Sequence, residues 1–357
     1  MRFLHTADWH IGLKARHLGG AGEKAREERL ATASHIAELA RAEHVDFVLV
    51  AGDTFDSPDV RPQWVLQTAE ILRSMDCPVF VLPGNHDPDV PAGLWSHPIW
   101  QSNRNIHVCR SGTQLEIPGG TLYPCPVKSR WQSNVPTEWI PRRTSGDVVR
   151  IAMAHAGIVT PAAPGLSGAI PPGIAEELGL DYIALGDWHS TTAALDTRIA
   201  HSGTPEATAF DERDSGNVLL VTIDAAGAMP RIEKRRVARL EWVQLERRLG
   251  SNGDAHSLLN DVRAIATTLR LLEVKVSGII NASDATTLEE IERVLGDEFL
   301  YGRLRRESLI SGDTDVALPL GFVTEAATRL ARQAENGDPA ASQALMELAR
   351  IAREVGA

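Results

Sequence analysis

Five times between residues 1 and 190 a short run of Val, Ile, Leu, Phe and Ala stops at a cluster of Asp, Asn, His and Gly. This repeated ending constrains the fold more than any other feature. The runs are Phe3–Ala7, Phe47–Ala51, Val79–Leu82, Val148–Ala154 and Tyr182–Leu185. Their endings are Asp8-Trp9-His10, Gly52-Asp53-Thr54-Phe55-Asp56, Gly84-Asn85-His86-Asp87, His155 and Gly186-Asp187-Trp188-His189. Short apolar runs rich in β-branched and aromatic residues, bounded by turn formers, read as buried strands. Between the first three, residues 23–43 place Leu30, Ala33, Ile36, Ala37 and Ala40 at helical spacing, and residues 63–75 do so with Val65, Leu66, Ala69 and Leu72. Strand, helix, strand, helix, strand predicts a sheet covered by helices. Later strands at Thr121–Cys125, Arg198–Ser202 and Val218–Ile223 come with fewer helices, so the class is mixed α/β with one sheet packed on another. Residues 157–173, dense in Gly and Pro, read as a long surface loop.

A chain of 357 residues exceeds what a single core usually supports, about 250–300 residues. A second unit is therefore expected, and the pattern restarts near residue 241. It reads strand (Trp242–Leu245), helix (255–269), strand (Leu271–Ile280), helix (285–295), strand (Phe299–Leu304), a compact α+β cap. Residues 318–355 read as two alanine-rich helices broken at Asn336-Gly337-Asp338-Pro339. The expected division is 1–238, 239–315 and 316–357.

No apolar run is long enough to span a membrane, and the amino end turns polar too early for a signal peptide, so a cytoplasmic location is expected. Cys77, Cys109 and Cys125 are far apart and odd in number, the usage of reduced structural thiols. A net charge of −11 argues against nucleic acid as a partner. Its distribution weakens that argument: residues 1–230 carry 18 Lys/Arg against 27 Asp/Glu, and several of those carboxylates belong to the polar clusters, where bound cations would offset them. Residues 231–248 hold seven Lys/Arg against three Glu, either a solvated hairpin of mixed charge or a strip that tracks phosphates.

The shared position of the five clusters carries the chemistry. Strand ends converge on one sheet edge, so carboxylates, amides and imidazoles distant in sequence can meet around an ion pair. Mixed oxygen and nitrogen donors suit Mn, Fe or Zn, and the lack of a cysteine cluster argues against a sulfur-rich structural zinc site. An isolated Asp-x-His, or one His after a strand, is usually structural; five in series are not readily explained that way.

In this order the blocks D-x-H, G-D-x-x-D, G-N-H-D, H and G-x-x-H resemble the calcineurin-like metallophosphoesterase superfamily. Within it, His5-Thr6-Ala7-Asp8-Trp9-His10-Ile11-Gly12, Ala51-Gly52-Asp53-Thr54-Phe55-Asp56 and Pro83-Gly84-Asn85-His86-Asp87 are similar to the SbcD-type DNA-repair nuclease branch and its YhaO-type relatives. The motifs cover roughly residues 1–225. The resemblance implies a four-layer sandwich of two mixed β-sheets flanked by helices, followed by the small α+β cap and C-terminal helices. It also implies two divalent metal ions, manganese first, with magnesium, iron or zinc as alternatives. Asp8, His10 and His189 would bind one ion, Asn85 and His155 the other, and Asp53 would bridge them. Two cations about 3.5–4 Å apart repel strongly unless an anion lies between them. The implied reaction is in-line attack of a metal-activated hydroxide on a phosphodiester. His86 would stabilise the transition state or protonate the leaving alkoxide, with Asp87 or another carboxylate setting its tautomer.

One position departs from the pattern. The SbcD-type branch usually has Gly-His-x-His where this chain has Gly186-Asp187-Trp188-His189. Either Asp187 ligates the second metal, favouring harder ions, or it faces away and that metal is weakly held. Trp9, Trp188 and Trp131 are candidates for base stacking, with packing the expected role of Trp9. Lys128-Arg130 and Arg142-Arg143 are candidates for phosphate contacts, against the commoner solvated role. The apolar stripes of the terminal helices either pack on their own domain or dock on an SMC-like, SbcC-type ATPase. The leading expectation is a dimeric, DNA-directed exo- or endonuclease. A phosphodiesterase of small nucleotides and a weakly active scaffold that binds DNA ends are the rivals.

Overall fold

The computed structural model describes Met1 to Ile351 apart from residues 130–133, 145–147, 160–167, 193–196, 251–252, 312–321, 336–337, 339, 342–343, 346 and 349–350. Arg130, Trp131, much of the Gly/Pro loop, Leu318, the Asn336-Gly337 break with Pro339, and Val355 lie outside the described residues. The chain divides into two compact units, Met1–Leu240 and Glu241–Ala357.

The first unit begins as the sequence pattern requires: β1 (Arg2–Thr6), α1 (Gly22–Ala42), β2 (Phe47–Ala51), α2 (Pro62–Arg73) and β3 (Val79–Leu82). A one-turn helix α3 (Ile99–Ser102) leads into β4 (Ile106–Val108), β5 (Leu115–Ile117), β6 (Gly120–Cys125) and β7 (Val149–His155). Helix α4 (Ile174–Leu178) precedes β8 (Tyr182–Gly186), β9 (Ile199–His201), β10 (Asn217–Thr222) and β11 (Arg231–Arg236). Proline at the first position of α2 fits there because that turn has no use for its missing N–H.

These strands form two mixed sheets. The first runs β11-β10-β1-β2-β3-β4, parallel through β1 to β4 with β10 and β11 antiparallel. The second runs β5-β6-β7-β8-β9, with only β5 antiparallel. Side chains alternate between the faces of a strand, and both faces here are buried. Phe3, Phe47, Leu49, Phe80 and Leu82 therefore meet Leu122, Ile151, Met153, Tyr182 and Ala184 between the sheets. Leu4, Val48, Val50 and Val81 point the other way onto Ile36, Ala37, Ala69 and Leu72 of α1 and α2. Ala152, Ala154, Ile183 and Leu185 pack outward on Ala175 and Leu178 of α4. The result is four layers, helix on sheet on sheet on helix. Cys109 and Cys125 are free and buried, and burial pushes both thiols up to about 12, so neither is a ready nucleophile.

The second unit is β12 (Glu241–Leu249), α5 (Asp254–Ala264), β13 (Arg270–Ile280), α6 (Ala282–Glu298), β14 (Tyr301–Ser311) and α7 (Phe322–Glu335). Its three strands are all parallel, so α5 and α6 are the crossovers, and Leu258, Val262, Leu272, Val274, Ile291 and Leu295 share their core. Helix α5 ends at Ala264, five residues before the pattern suggested: Ile265 leaves helical geometry, and Ile265 N and Ala266 N bond three residues back, to Val262 O (3.3 Å) and Arg263 O (3.2 Å). Helix α6 starts earlier than expected because Asn281 and Asp284 cap one another reciprocally, at 2.8 and 3.0 Å. The first expected terminal helix is α7; much of the second lies outside the described residues. Among the described residues no helix is long and apolar enough to cross a membrane.

Candidate metal centre

The two sheets bring the carboxyl ends of β1, β2, β3, β7 and β8 to one edge. The turn after β1 is laced to the turn after β2: Asp8 N donates to Gly52 O (3.1 Å), His10 N to Asp53 O (3.0 Å) and Ile11 N to Thr54 O (2.9 Å). From the other sheet His155, the last residue of β7, donates through Nδ1 to Ala51 O of β2 (2.9 Å). Asp187 N, just past β8, donates to the Asp8 carboxylate at 3.2 Å. Of nine described non-glycine residues with positive φ, four are here: Asp8 (53°), His10 (46°), Asp53 (49°) and Asp187 (87°). Such backbone is uncommon outside Gly, Asn, Asp and His, and four cases at one edge show how tightly these turns are constrained.

Two glycines make the approach feasible. A Cβ on Gly52 (φ 95°) would lie 2.2 Å from His155 Nδ1, and one on Gly84 would lie 2.1 Å from Asp53 Oδ1. Nothing larger fits at either position without displacing a candidate ligand.

His155 Nε2 faces only oxygen: Asn85 Oδ1 at 3.1 Å, Asp53 Oδ2 at 3.3 Å, Asp187 Oδ1 at 3.8 Å and Asp8 Oδ1 at 4.0 Å. Since Nδ1 carries the proton given to Ala51, the neutral ring presents a lone pair to four acceptors. His10 Nε2 and His189 Nε2 lie 3.0 Å apart. His189 Nδ1 is 2.5 Å from Glu212 Oε1 and His10 Nδ1 is 3.5 Å from Asp56 Oδ1, so with both Nδ1 atoms protonated two further lone pairs face one another. Asp8, His10 and His189 bring ligand atoms within 4.8 Å of one another, as do Asp8, Asp53 and His155, and His10, Asp53 and His86. Converging lone pairs and carboxylates with no matching hydrogens are repulsive unless positive charge lies between them, which is what a pair of cation cradles requires.

The titration tendencies agree. Burial works to raise Asp53, yet His155 and His10 hold its carboxyl below the usual carboxylate range. Burial pulls His155 down, but Asp53, Asp8 and Asp187 together carry its imidazole well above the usual histidine range. Without a cation, the edge draws a proton in its place.

Of the remaining sequence-derived residues, His86 N donates to Asp53 Oδ1 (2.9 Å), and its Nδ1 donates to the Asp56 carbonyl (3.0 Å). Nε2 is thus the ring nitrogen that the backbone does not engage. The structure does not bring the Asp87 carboxylate to His86. It is fully buried and accepts from Gly84 N (2.7 Å) and Phe55 N (2.9 Å), tying the β3 turn to the β2 turn; Asp56 is the acid beside His86, at 3.9 Å. Trp9 is buried with Nε1 on Thr6 Oγ1 (2.8 Å), a packing residue, whereas Trp188 is 57% exposed. Lys128 pairs with Asp89, Arg142 with Glu177 and Arg143 with Asp181, so each of these cations has a carboxylate partner, Asp89 being shared with Arg110 and Asp181 with Arg198. In the 231–236 strip, Arg231 pairs with Asp224, Lys234 with Asp214 and Arg235 with Glu43 and Glu233, the pattern of a mixed-charge hairpin.

Sequence reasoning missed the support behind the edge. Glu212 accepts His189 Nδ1 and is itself held by Thr208 N (2.6 Å). Thr204 Oγ1 donates to Asp8 O (2.7 Å), and buried Arg29 joins Trp9 O (2.9 Å) to Ala207 O (2.8 Å). The signal was present: Ser202-Gly203-Thr204-Pro205-Glu206 is one more polar ending after a strand, β9.

Residues 1–191 match the family described as calcineurin-like phosphoesterase. The DNA double-strand break repair protein Mre11 of Aeropyrum pernix is 26% identical over 290 residues, 72% of this chain and 66% of that protein. The uncharacterized metallophosphoesterase YhaO of Bacillus subtilis is 32% identical over 123 residues, 32% of this chain and 29% of that protein. The SbcD component of nuclease SbcCD from Bacillus subtilis is 26% identical over 339 residues, 82% of each. The match thus spans just under two thirds of the first relative and less than a third of the second.

Proposed function

This chain belongs to the calcineurin-like phosphoesterase family, and on that premise we propose that it is a metal-dependent hydrolase that cuts DNA phosphodiesters, using two divalent cations. The observation that carries the reading is the lone-pair convergence: His155 Nε2 ringed by four oxygens, and the 3.0 Å approach of His10 and His189. Asp8, His10 and His189 would hold one cation, Asn85, His155 and Asp187 the other, with Asp53 between them. Manganese is the first candidate, since mixed carboxylate, amide and imidazole donors suit it. When bound, the cations supply Lewis acidity that makes water a nucleophile near neutral pH and neutralises phosphate charge.

The protein's own contribution is placement. The Asp8 and Asp53 turns and β7 fix the ligands on rigid strand ends, so nothing need reorganise when substrate arrives. Asp53 Oδ1 accepts the His86 backbone N–H, which ties the turn carrying the imidazole to the carboxylate that would lie between the cations. With Nδ1 committed to Asp56 O, His86 offers Nε2 to the phosphate or to the leaving oxygen. Asp87 acts one step back, locking the His86 turn.

DNA is proposed as substrate on the relatives named for DNA repair and for nuclease SbcCD. The name of nuclease SbcCD supports the proposal of a second polypeptide, which we take to be an SbcC-type ATPase; a homodimeric, cytoplasmic assembly is a further part of the proposal. The experiment is cleavage of linear DNA with manganese by the full chain and by His86→Ala. The expected result is a 10²–10⁴-fold slower variant with unchanged manganese binding. Intact DNA alongside rapid turnover of a small phosphodiester would refute the DNA reading.

A further inference from the structure

One cleft stands out for cations that no acid neutralises. Its volume is about 330 Å³, and Lys14, Arg16, Arg26 and Arg61 line it together with Trp64 and Asp56. Lys14 and Arg16 follow the Asp8–His10 turn, Arg26 lies on α1, and Arg61 and Trp64 begin α2. None of the four cations has an ion pair among the described residues. The contrast with Lys128, Arg142, Arg143, Arg231 and Lys234, each paired with a carboxylate, is sharp. Arg26 makes one hydrogen bond here, to Lys14 O (2.9 Å), which holds the Lys14 segment in the wall. Asp56 belongs to the cleft and the metal centre alike: its carbonyl accepts from His86, and its carboxylate is 3.5 Å from His10 Nδ1.

In a chain of net charge −11, a solvent-open cleft with four unpaired cations against Asp56 and Asp59 is a local reversal of sign. Like charges gathered in a cleft without acidic partners repel one another and draw anions to it, so a bound anion lowers the energy of the arrangement. The cleft adjoins the metal centre at Asp56, the residue whose carbonyl holds His86. One phosphate at the metals has its own neutralising cations and needs none of these four. We infer that this cleft binds the backbone phosphates adjoining the scissile one, with Trp64 offering a ring face to a base, so that the ligand is a nucleic-acid strand. The inference rests on the phosphodiesterase reading for what happens at the metals, but not for binding.

The test uses the full chain carrying Lys14→Gln, Arg16→Gln and Arg61→Gln together, leaving Arg26 to hold the Lys14 segment, and separately Trp64→Ala. Fluorescence anisotropy with a labelled single-stranded oligonucleotide is read from 50 to 200 mM salt. The triple variant is expected to lower the slope of log affinity against log salt by about 2 and to weaken binding at least tenfold, from ~0.7 per lost phosphate contact. Trp64→Ala is expected to weaken binding about fivefold with the slope unchanged. Hydrolysis of bis(p-nitrophenyl) phosphate with manganese, a substrate that carries no adjoining phosphate, is expected to stay at the wild-type rate in the triple variant. Wild-type affinity and slope in the triple variant would overturn the inference, whatever the rates. A wild-type protein that hydrolyses no phosphodiester would defeat the proposed function instead, and the binding titration, which needs no turnover, would still decide the cleft.

Discussion

Replacing Gly52 by alanine tests whether the metal edge depends on the sheets meeting without a side chain between them. The new Cβ would start 2.2 Å from Nδ1, 2.5 Å from Cγ and 2.8 Å from Cβ of His155, on backbone at φ 95°. His155 is buried at 7% exposure and anchored to Ala51 O at 2.9 Å, so contact is relieved only if the ring retreats by about 1 Å or more and gives up that bond. Left-handed backbone for alanine costs about 1–2 kcal/mol. Overpacking adds ~1–3 kcal/mol, and the lost hydrogen bond adds ~1 kcal/mol. A total of about 3–6 kcal/mol corresponds to a melting temperature lower by roughly 10–20 °C for a domain of this size. Calorimetry reads that shift, and a manganese titration is expected to lose the step assigned to the His155 cradle. The decisive assay is a double-mutant cycle with His155→Ala, because removing the ring removes the two closest contacts and leaves only the 2.8 Å approach to the Cβ at position 155. Gly52→Ala should then cost clearly less than in the wild-type background, its backbone strain and that one contact remaining. Equal costs in both backgrounds, or two-step manganese binding at wild-type affinity in Gly52→Ala, would refute the reasoning.

Glu212→Gln exchanges the carboxylate that fixes the His189 tautomer for a group that can present either hydrogen or oxygen. Manganese affinity should fall about 10–100-fold by calorimetric titration, while Glu212→Asp restores part of it. Acid stability follows from two histidines buried without charge. Burial holds His5 at about 3, between Tyr182 Oη and Leu185 O, and His201 at about 4, below the ~6.5 of an unfolded chain. Both folded values are depressed, so stability is full above pH ~6.5 and is lost as pH falls toward 4 and then 3. At pH 5 the loss is about 2 kcal/mol for each histidine. Urea midpoints at pH 7 and 5 read it, and a His5→Gln, His201→Gln protein should show a flatter profile; an unchanged profile would refute the assignment.

The runs ending in Asp8, Asp53, Asn85, His155 and Asp187 were legible because a buried parallel strand has little freedom: both faces are apolar, and the first polar residue marks its end. Local chemistry therefore determined the strand–helix alternation, the one edge on which the clusters meet, and the candidate ligands. What the sequence could not decide depended on partners distant in the chain. Asp87 follows His86 directly, yet its carboxylate turns to Gly84 and Phe55, while Asp56, thirty residues earlier, lies beside the imidazole. Glu212 stands behind His189 only because β9 and the turn beyond it return to the edge. The cations split in the same way. Arg142 and Arg143 looked available and are paired, whereas Lys14, Arg16, Arg26 and Arg61 come from three separate segments and meet unpaired. A side chain's charge is fixed by its own chemistry, but whether that charge is spent within the protein or left for a ligand is set by what folding packs against it.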